Sequence, residues 1–173
     1  VSGVTVTVDT AEVTAALDRL IALGADPSPA LKNVGVHLVQ STQERFQQEK
    51  APDGAAWPAL DPDYRAGKRG PGILREAGMR GGLMASITWS LQGQRLTVGT
   101  NKVYAAIHQF GGTIKPKTQP ALIFRIGGRL AFARQVTLPA RPFLGVSAED
   151  AAEIQAIFED FAEMATRRRG SGA

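Results

Sequence analysis

Apolar and polar residues alternate strictly in "VTVTV" (Val4 to Val8), the period of a half-buried strand. The period then lengthens. In "AEVTAALDRLIALG", Val13, Ala16, Leu17, Leu20 and Ile21 share one helical stripe, and Gly24 is placed to end it. A second helix opens in "DPSPALKNVGVHLVQSTQERFQQEK". Ser28 is positioned to cap it, Pro29 fits a first turn where its missing N–H costs nothing, and Leu31, Val34, Leu38, Val39 and Phe46 line its apolar face. The short Pro-containing link makes this stretch a helical pair or one long kinked helix.

From 51 to 72 no period survives. "APDGAAWPALDPDYRAGKRGPG" is dense in Pro, Gly and Asp, with Trp57, Leu60 and Tyr64 as its large apolar groups. Structureless loops of this length are uncommon inside a domain. The segment is expected to be disordered alone or ordered against a neighbour, with Trp57 as the anchor, because a large ring gives much contact for little entropy.

"ILREAGMRGGLMASI" reads as a short helix broken by glycines, and "ITWSLQ", a Gly93 turn and "RLTVG" read as a hairpin. "NKVYAAIHQF" is a short helical turn that Gly111 and Gly112 terminate. "ALIFRIGGRLAFARQV" (121–136) is the clearest hairpin, two β-prone runs around Gly127-Gly128. A two-residue turn pairs Ile126 with Arg129, Phe124 with Ala131 and Leu122 with Ala133 on one face, and Arg125 with Leu130 and Ile123 with Phe132 on the other. Both faces are apolar, unlike a hairpin with one wet face. It is therefore sandwiched in the domain or covered by another subunit, and few residues remain to cover both faces from within. "TLPARPFLG" is extended, since Pro139 and Pro142 disfavour helix before them. "SAEDAAEIQAIFEDFAEMATRRR" opens with Ser147 and Asp150 at capping-box spacing, and Ile154, Ile157, Phe158, Phe161 and Ala165 form its stripe. Helices, then strands, then a helix, with no internal repeat, predict one α+β domain over 1–173: antiparallel β-sheet with hairpins packed against long N-terminal and C-terminal helices, carrying a long loop at 51–72 and a hairpin arm at 121–136.

Composition narrows the function. The 173 residues are 43% apolar and 21% charged, enough for a core. No apolar run reaches membrane-spanning length, and "VSGVTVTVDT" lacks the features of a signal peptide. Cysteine is absent, which excludes thiol nucleophiles and fits a reducing cytosol. The net charge of +4 is partly terminal, where Arg167, Arg168 and Arg169 are candidate DNA contacts or solvated cations suited to a helix C-terminus. The other basic residues are spread along the chain, without a zinc spacing or an RNA-binding sheet motif.

Catalytic patterns fail one by one. His37 and His108 are the two histidines, in no metal spacing, and His37 between Val36 and Leu38 reads as a helix-packing residue. There is no G-x-S-x-G elbow. "AGKRGPG" lacks the Ser or Thr of a phosphate loop, and "GPGILR" lacks the third glycine of a dinucleotide fingerprint. The acids of "DPDY" and "FEDF" read as turn formers and a solvated helix face. Asp61 and Glu76 remain open as spatial partners of His108. The structural reading sends Tyr104, Ile107 and Phe110 inward and leaves His108 and Gln109 as polar tips. No catalytic activity, cofactor or metal is expected.

Four segments occur in a telling order: "FQQEKAPDGAAWPALDPDY", "ILREAGMRGGLMASI", "LTVGTNKVYAAIHQFGG" and "LPARPFLGVSAED". Together they resemble the phage virion morphogenesis family, which includes Mu-like G proteins and related tail completion proteins. The likeness spans roughly Leu31 to Ile157, with "YAAIHQFGG" followed by "PARPFLG" as its specific part; "EAGMRGGL" departs from the family's Thr-Gly-x-Leu pattern. The resemblance implies a non-enzymatic structural protein that completes the tail or joins tail to head at the neck. It implies a homo-oligomeric ring, hexameric if it follows the sixfold tail tube, built from head-to-tail interfaces. Tail-tube and connector proteins are its expected partners, in the virion and in the host cytoplasm during assembly. Trp57, Leu122, Phe124, Ile126, Leu130, Phe132 and Arg141 are the expected subunit-interface residues, with an internal role for Arg141, pairing with a carboxylate or capping carbonyls, equally open, and with His108, Gly111 and Gly112 as a structural turn. The alternative is a DNA-contacting connector lining the neck channel, with no membrane role in either case.

Overall fold

The computed structural model describes residues 4–6, 11–22, 24–75, 82–126 and 128–170. Helices α1 (Ala11–Ala22), α2 (Ser28–Gln48) and α5 (Ala148–Gly170) pack together, with α1 and α2 both against α5. The stripe of α1 is kept by Leu20, fully buried, and half-buried Leu17, whereas Ile21 faces water and the side chains of Val13 and Ala16 fall outside the described set. The α5 stripe packs as its spacing predicts, with Ile154 and Phe158 in the core. Among the described residues no helix is long and apolar enough to cross a membrane.

The two N-terminal helices are separate, because Gly24 takes a positive φ of 61° and its N–H closes the turn on Ile21 O. Ser28 begins α2 rather than capping it. Pro27 holds the cap position, and the Ser28 N–H donates to Asp26 Oδ1 at 3.0 Å. Hydrogen bonding from the Ser28 side chain, and then from its N–H, holds the Asp26 carboxyl below its ordinary range.

One face of α2 lies on an antiparallel sheet ordered β1-β3-β2, from β1 (Val4–Val6), β2 (Thr88–Gln92) and β3 (Arg95–Thr100). Its hairpin turns at Gly93, where φ is 59°. Gly35 permits the contact: a Cβ there would stand 2.8 Å from the Trp89 ring. Residues 7 and 8 of the expected first strand, and 76–81 of the expected glycine-broken helix, lie outside the described residues; Met84–Ser86 form a single 3₁₀ turn.

The 51–72 loop is ordered by its own chain, contrary to expectation. Trp57 is 5% exposed, meets the Phe46 ring edge-on at 5.5 Å, and donates its indole N–H to Pro142 O at 2.7 Å. Glu49, left-handed at the end of α2, accepts the Ile73 N–H on Oε1 and so ties the far end of the loop down. Within the loop Asp61 caps an unforeseen helix, α3 (Pro62–Gly67), by accepting from the Asp63 and Tyr64 N–H groups.

Downstream, α4 (Ala105–Phe110) leads into β4 (Gly112–Ile114), which pairs with β7 (Val136–Leu138). Between them β5 (Leu122–Ile126) and β6 (Arg129–Ala133) form the second hairpin. Its five cross-strand pairs are those expected from a two-residue turn. The residues from 112 to 138 thus make a two-part β-ribbon outside the three-stranded sheet.

Candidate assembly surface

Two neighbouring regions hold every residue marked as functional in the sequence, apart from the C-terminal arginines. One is a seam around 141–150, the other the ribbon.

The seam begins at α4. A helix of this length shows the core one i, i+4 pair, and that pair is Ala105 and Gln109, both buried. Tyr104 is 42% and Phe110 70% exposed, so the expected apolar face does not turn inward. The reason is hydrogen bonding. Residues 143–144, in no helix or strand, bring backbone groups into the core that need partners. Gln109 Oε1 accepts from Phe143 N and Leu144 N, each at 3.0 Å, and its Nε2 donates to Leu144 O at 2.9 Å. Gly111 and Gly112 end the helix at φ 69° and 146°, as expected, and a Cβ on Gly111 would lie 2.7 Å from Ala140 N.

Arg141 is 4% exposed and belongs to the interior. Its guanidinium donates to Pro58 O and Ala59 O at 2.9 and 3.1 Å, fixing the long loop, and its N–H donates to His108 O. With Trp57 also buried, these two expected interface residues present almost no surface to a neighbour. His108 is half-buried beside the Tyr104 ring, and its Nδ1 is buried without a hydrogen-bond partner. Burial, then the Arg141 charge, lower its pKa, so the ring is neutral at neutral pH. Asp61 caps α3 instead of pairing with it, and Glu76 lies outside the described residues.

The seam closes on α5. Asp150 N donates to Ser147 Oγ and Ser147 N to Asp150 Oδ2, at 3.1 and 2.8 Å, a reciprocal capping box. The same carboxylate accepts from Arg45 Nη2 and, at 3.0 Å, from His37 Nε2. Arg45 Nη1 also reaches Phe143 O and Gly145 O. Burial opposes ionisation of Asp150, but the Ser147 and Ser41 hydrogen bonds and the Arg45 charge outweigh it and keep the carboxyl below its ordinary range. The sequence held a signal for this network: Arg45 continues the buried α2 positions Leu31, Val34, Leu38 and Thr42. An open groove of about 580 Å³, lined in part by His37, Ser41, Glu44 and Lys50, lies over it. Ser41 Oγ accepts from Arg45. The His37 Nε2 is thus taken up by Asp150, and the Ser41 hydroxyl by Arg45. No described group of three acids or histidines is arranged to hold a metal ion.

The ribbon is built the opposite way. Leu122, Phe124 and Ile126 share its half-buried inner face, and β5 contacts α3. Leu130 and Phe132 face outward with Ile123, a residue absent from the expected set, at 58, 66 and 63% exposure. The five apolar ribbon residues expected at an interface therefore divide, three inward and two outward. Gly127, in the turn, lies outside the described residues.

Of the terminal arginines, Arg167 pairs with Glu163 one helical turn away and Arg168 is exposed on the last turns of α5, while the side chain of Arg169 is outside the described set. Cations there complement the helix dipole.

Comparison with known proteins adds an independent line. The sequence model of the phage virion morphogenesis family matches residues 8–162. The chain is 33% identical over 153 residues to the Mu-like prophage FluMu G protein 2 of Haemophilus influenzae, covering 88% of this chain and 91% of the relative. It is 30% identical over 171 residues to a protein of Escherichia phage Mu provisionally named capsid assembly protein G, covering 97% of this chain and 94% of that one. A second H. influenzae protein, FluMu G protein 1, is 31% identical over 125 residues, 69% of this chain and 68% of its own length. No solved structure matches.

Proposed function

The chain belongs to the phage virion morphogenesis family, a structural role in building the particle, and from that premise we propose that it completes the tail or joins tail to head as a ring at the neck. The observation that carries this reading is the outer face of the ribbon. Three large apolar side chains, each more than half exposed, sit together on two paired strands, left open by the described residues of their own chain. Isolated exposed apolar residues are ordinary, whereas a contiguous set marks a contact surface. Copies arranged head to tail cover such a face in turn and close a ring, sixfold where it meets a sixfold tube. The relative in phage Mu is named for capsid assembly, and a protein seated between head and tail is consistent with that name as well. The partners in this reading are sister copies, the tail tube and the head connector, and the place of action is the virion after assembly in the host cytoplasm.

The alternative, a connector that touches DNA through Arg167 and Arg168, rests on two exposed cations at a helix end. Electron microscopy of particles carrying a labelled copy tests both readings. Density forming a ring between head and tail is expected; label confined to the capsid shell, or absent from particles, contradicts the reading. DNA retention by the purified protein that falls steeply with salt favours the alternative.

A further inference from the structure

Charge is segregated in this chain more sharply than its net value of +4 suggests. Between Glu76 and Glu149 there is no aspartate or glutamate. Within that stretch Lys115, Lys117, Arg125, Arg129 and Arg134 all stand exposed on the ribbon. Among the described residues no ion pair reaches any of them. Arg125 shares the outer face with Ile123, Leu130 and Phe132, opposite Leu130 across the ladder. The outer face is thus an apolar strip bearing Arg125, with Arg134 continuing its alternation just beyond β6, while Arg129 stands by register beside Ile126 on the other face.

The acids collect elsewhere. On α5, Glu149, Glu153, Glu159, Asp160 and Glu163 are all exposed. At about 100° per residue they fall on the side away from buried Ile154 and Phe158. Exposed Ala152, Ala156 and Met164 lie among them. This second face is an apolar strip among carboxylates. Among the described residues no ion pair joins the two faces within one chain.

Resting on the ring reading above, we propose that the outer face of the ribbon docks on the outer face of α5 in a second copy. The two surfaces differ, so the contact is heterologous: each copy offers its ribbon to the next and its α5 to the one before. Repetition then closes a ring or extends a filament. Complementary charge selects the partner and sets the register, while Ile123, Leu130 and Phe132 supply the dry centre. A nucleic acid fits less well. Its phosphates would take the cations but leave the three apolar side chains wet.

Charge reversal tests this. One variant carries Arg125→Glu with Arg134→Glu, the other Glu153→Lys with Asp160→Lys, and native mass and thermal melts are recorded for each alone and for an equal mixture. Every substituted side chain is exposed, so both proteins should melt near the wild type. Each alone should lose at least tenfold in self-association. The mixture should regain it, because every ribbon then again faces an α5 of opposite charge. A wild-type protein that stays single throughout overturns the ring reading and this inference with it. A wild-type oligomer that survives both reversals, or is weakened by them and not restored in the mixture, overturns this inference alone. Retention of duplex DNA by the wild type that the ribbon reversal abolishes, with the oligomer unchanged, also overturns it and assigns the ribbon to nucleic acid.

Discussion

The seam at 141–150 and the ribbon at 112–138 are adjacent in sequence and opposite in construction. In the seam, polar groups are inside and matched: Gln109, Arg45 and Asp150 are buried and between them take up the backbone of Phe143, Leu144, Gly145 and Ser147. In the ribbon, apolar groups are outside and unmatched. Stability and assembly therefore rest on different residues. A change in the seam should unfold the subunit, while one on the ribbon's outer face should leave a sound subunit that does not associate.

The largest effect is expected at Arg45→Ala. It leaves the Asp150 carboxylate buried without its cation and takes the donors from Phe143 O and Gly145 O. A loss of about 3–5 kcal/mol in denaturant unfolding is expected. Gln109→Ala strands two N–H groups and one carbonyl in the core and should cost about 2–3 kcal/mol by the same assay. A change below about 0.5 kcal/mol at either position would show that the seam does not hold the subunit together.

Acid provides a graded version of the same break. Asp150 has a folded-state pKa below its ordinary 3.8, so the unfolded chain binds the proton more readily. Its contribution is complete above the unfolded pKa and disappears as pH falls through the folded one. Unfolding free energy should therefore drop below about pH 4 more steeply in the wild type than in Asp150→Asn. Parallel profiles would remove Asp150 from the account. The smallest effect belongs to Arg168→Ala, exposed at the helix end: stability should stay within about 0.5 kcal/mol of the wild type.

What could be read in the sequence was local. The ribbon register followed from two β-prone runs around Gly127-Gly128, the reciprocal cap from Ser147 and Asp150, and the end of α4 from Gly111-Gly112. Each is settled within a few residues by periodicity or backbone freedom. What escaped was tertiary. Helix α3 exists because Asp61 caps it on a loop that Arg141 and Pro142 hold down, through Pro58, Ala59 and Trp57, from more than 80 positions away. The inward face of α4 departs from the pattern of its large apolar residues because the core there requires the amide of Gln109 to meet two N–H groups and a carbonyl. The sequence marks Trp57 as an anchor and Arg141 as able to cap carbonyls but does not say on which chain their partners lie; these lie on each other's segments. The division of the ribbon's apolar residues into inner and outer faces was present in the alternation itself. Only the packing of β5 beside α3 shows which face is the free one.

The central claim is that the ribbon's outer face is covered by another copy. Native mass of the wild type and of Ile123→Ser with Phe132→Ser, measured across a concentration series, tests it most directly. Association of the wild type into a closed oligomer, and a variant that melts near the wild type yet stays single, is the result expected. A wild type that remains single at the highest concentration, or a variant that assembles as readily as the wild type, would contradict it.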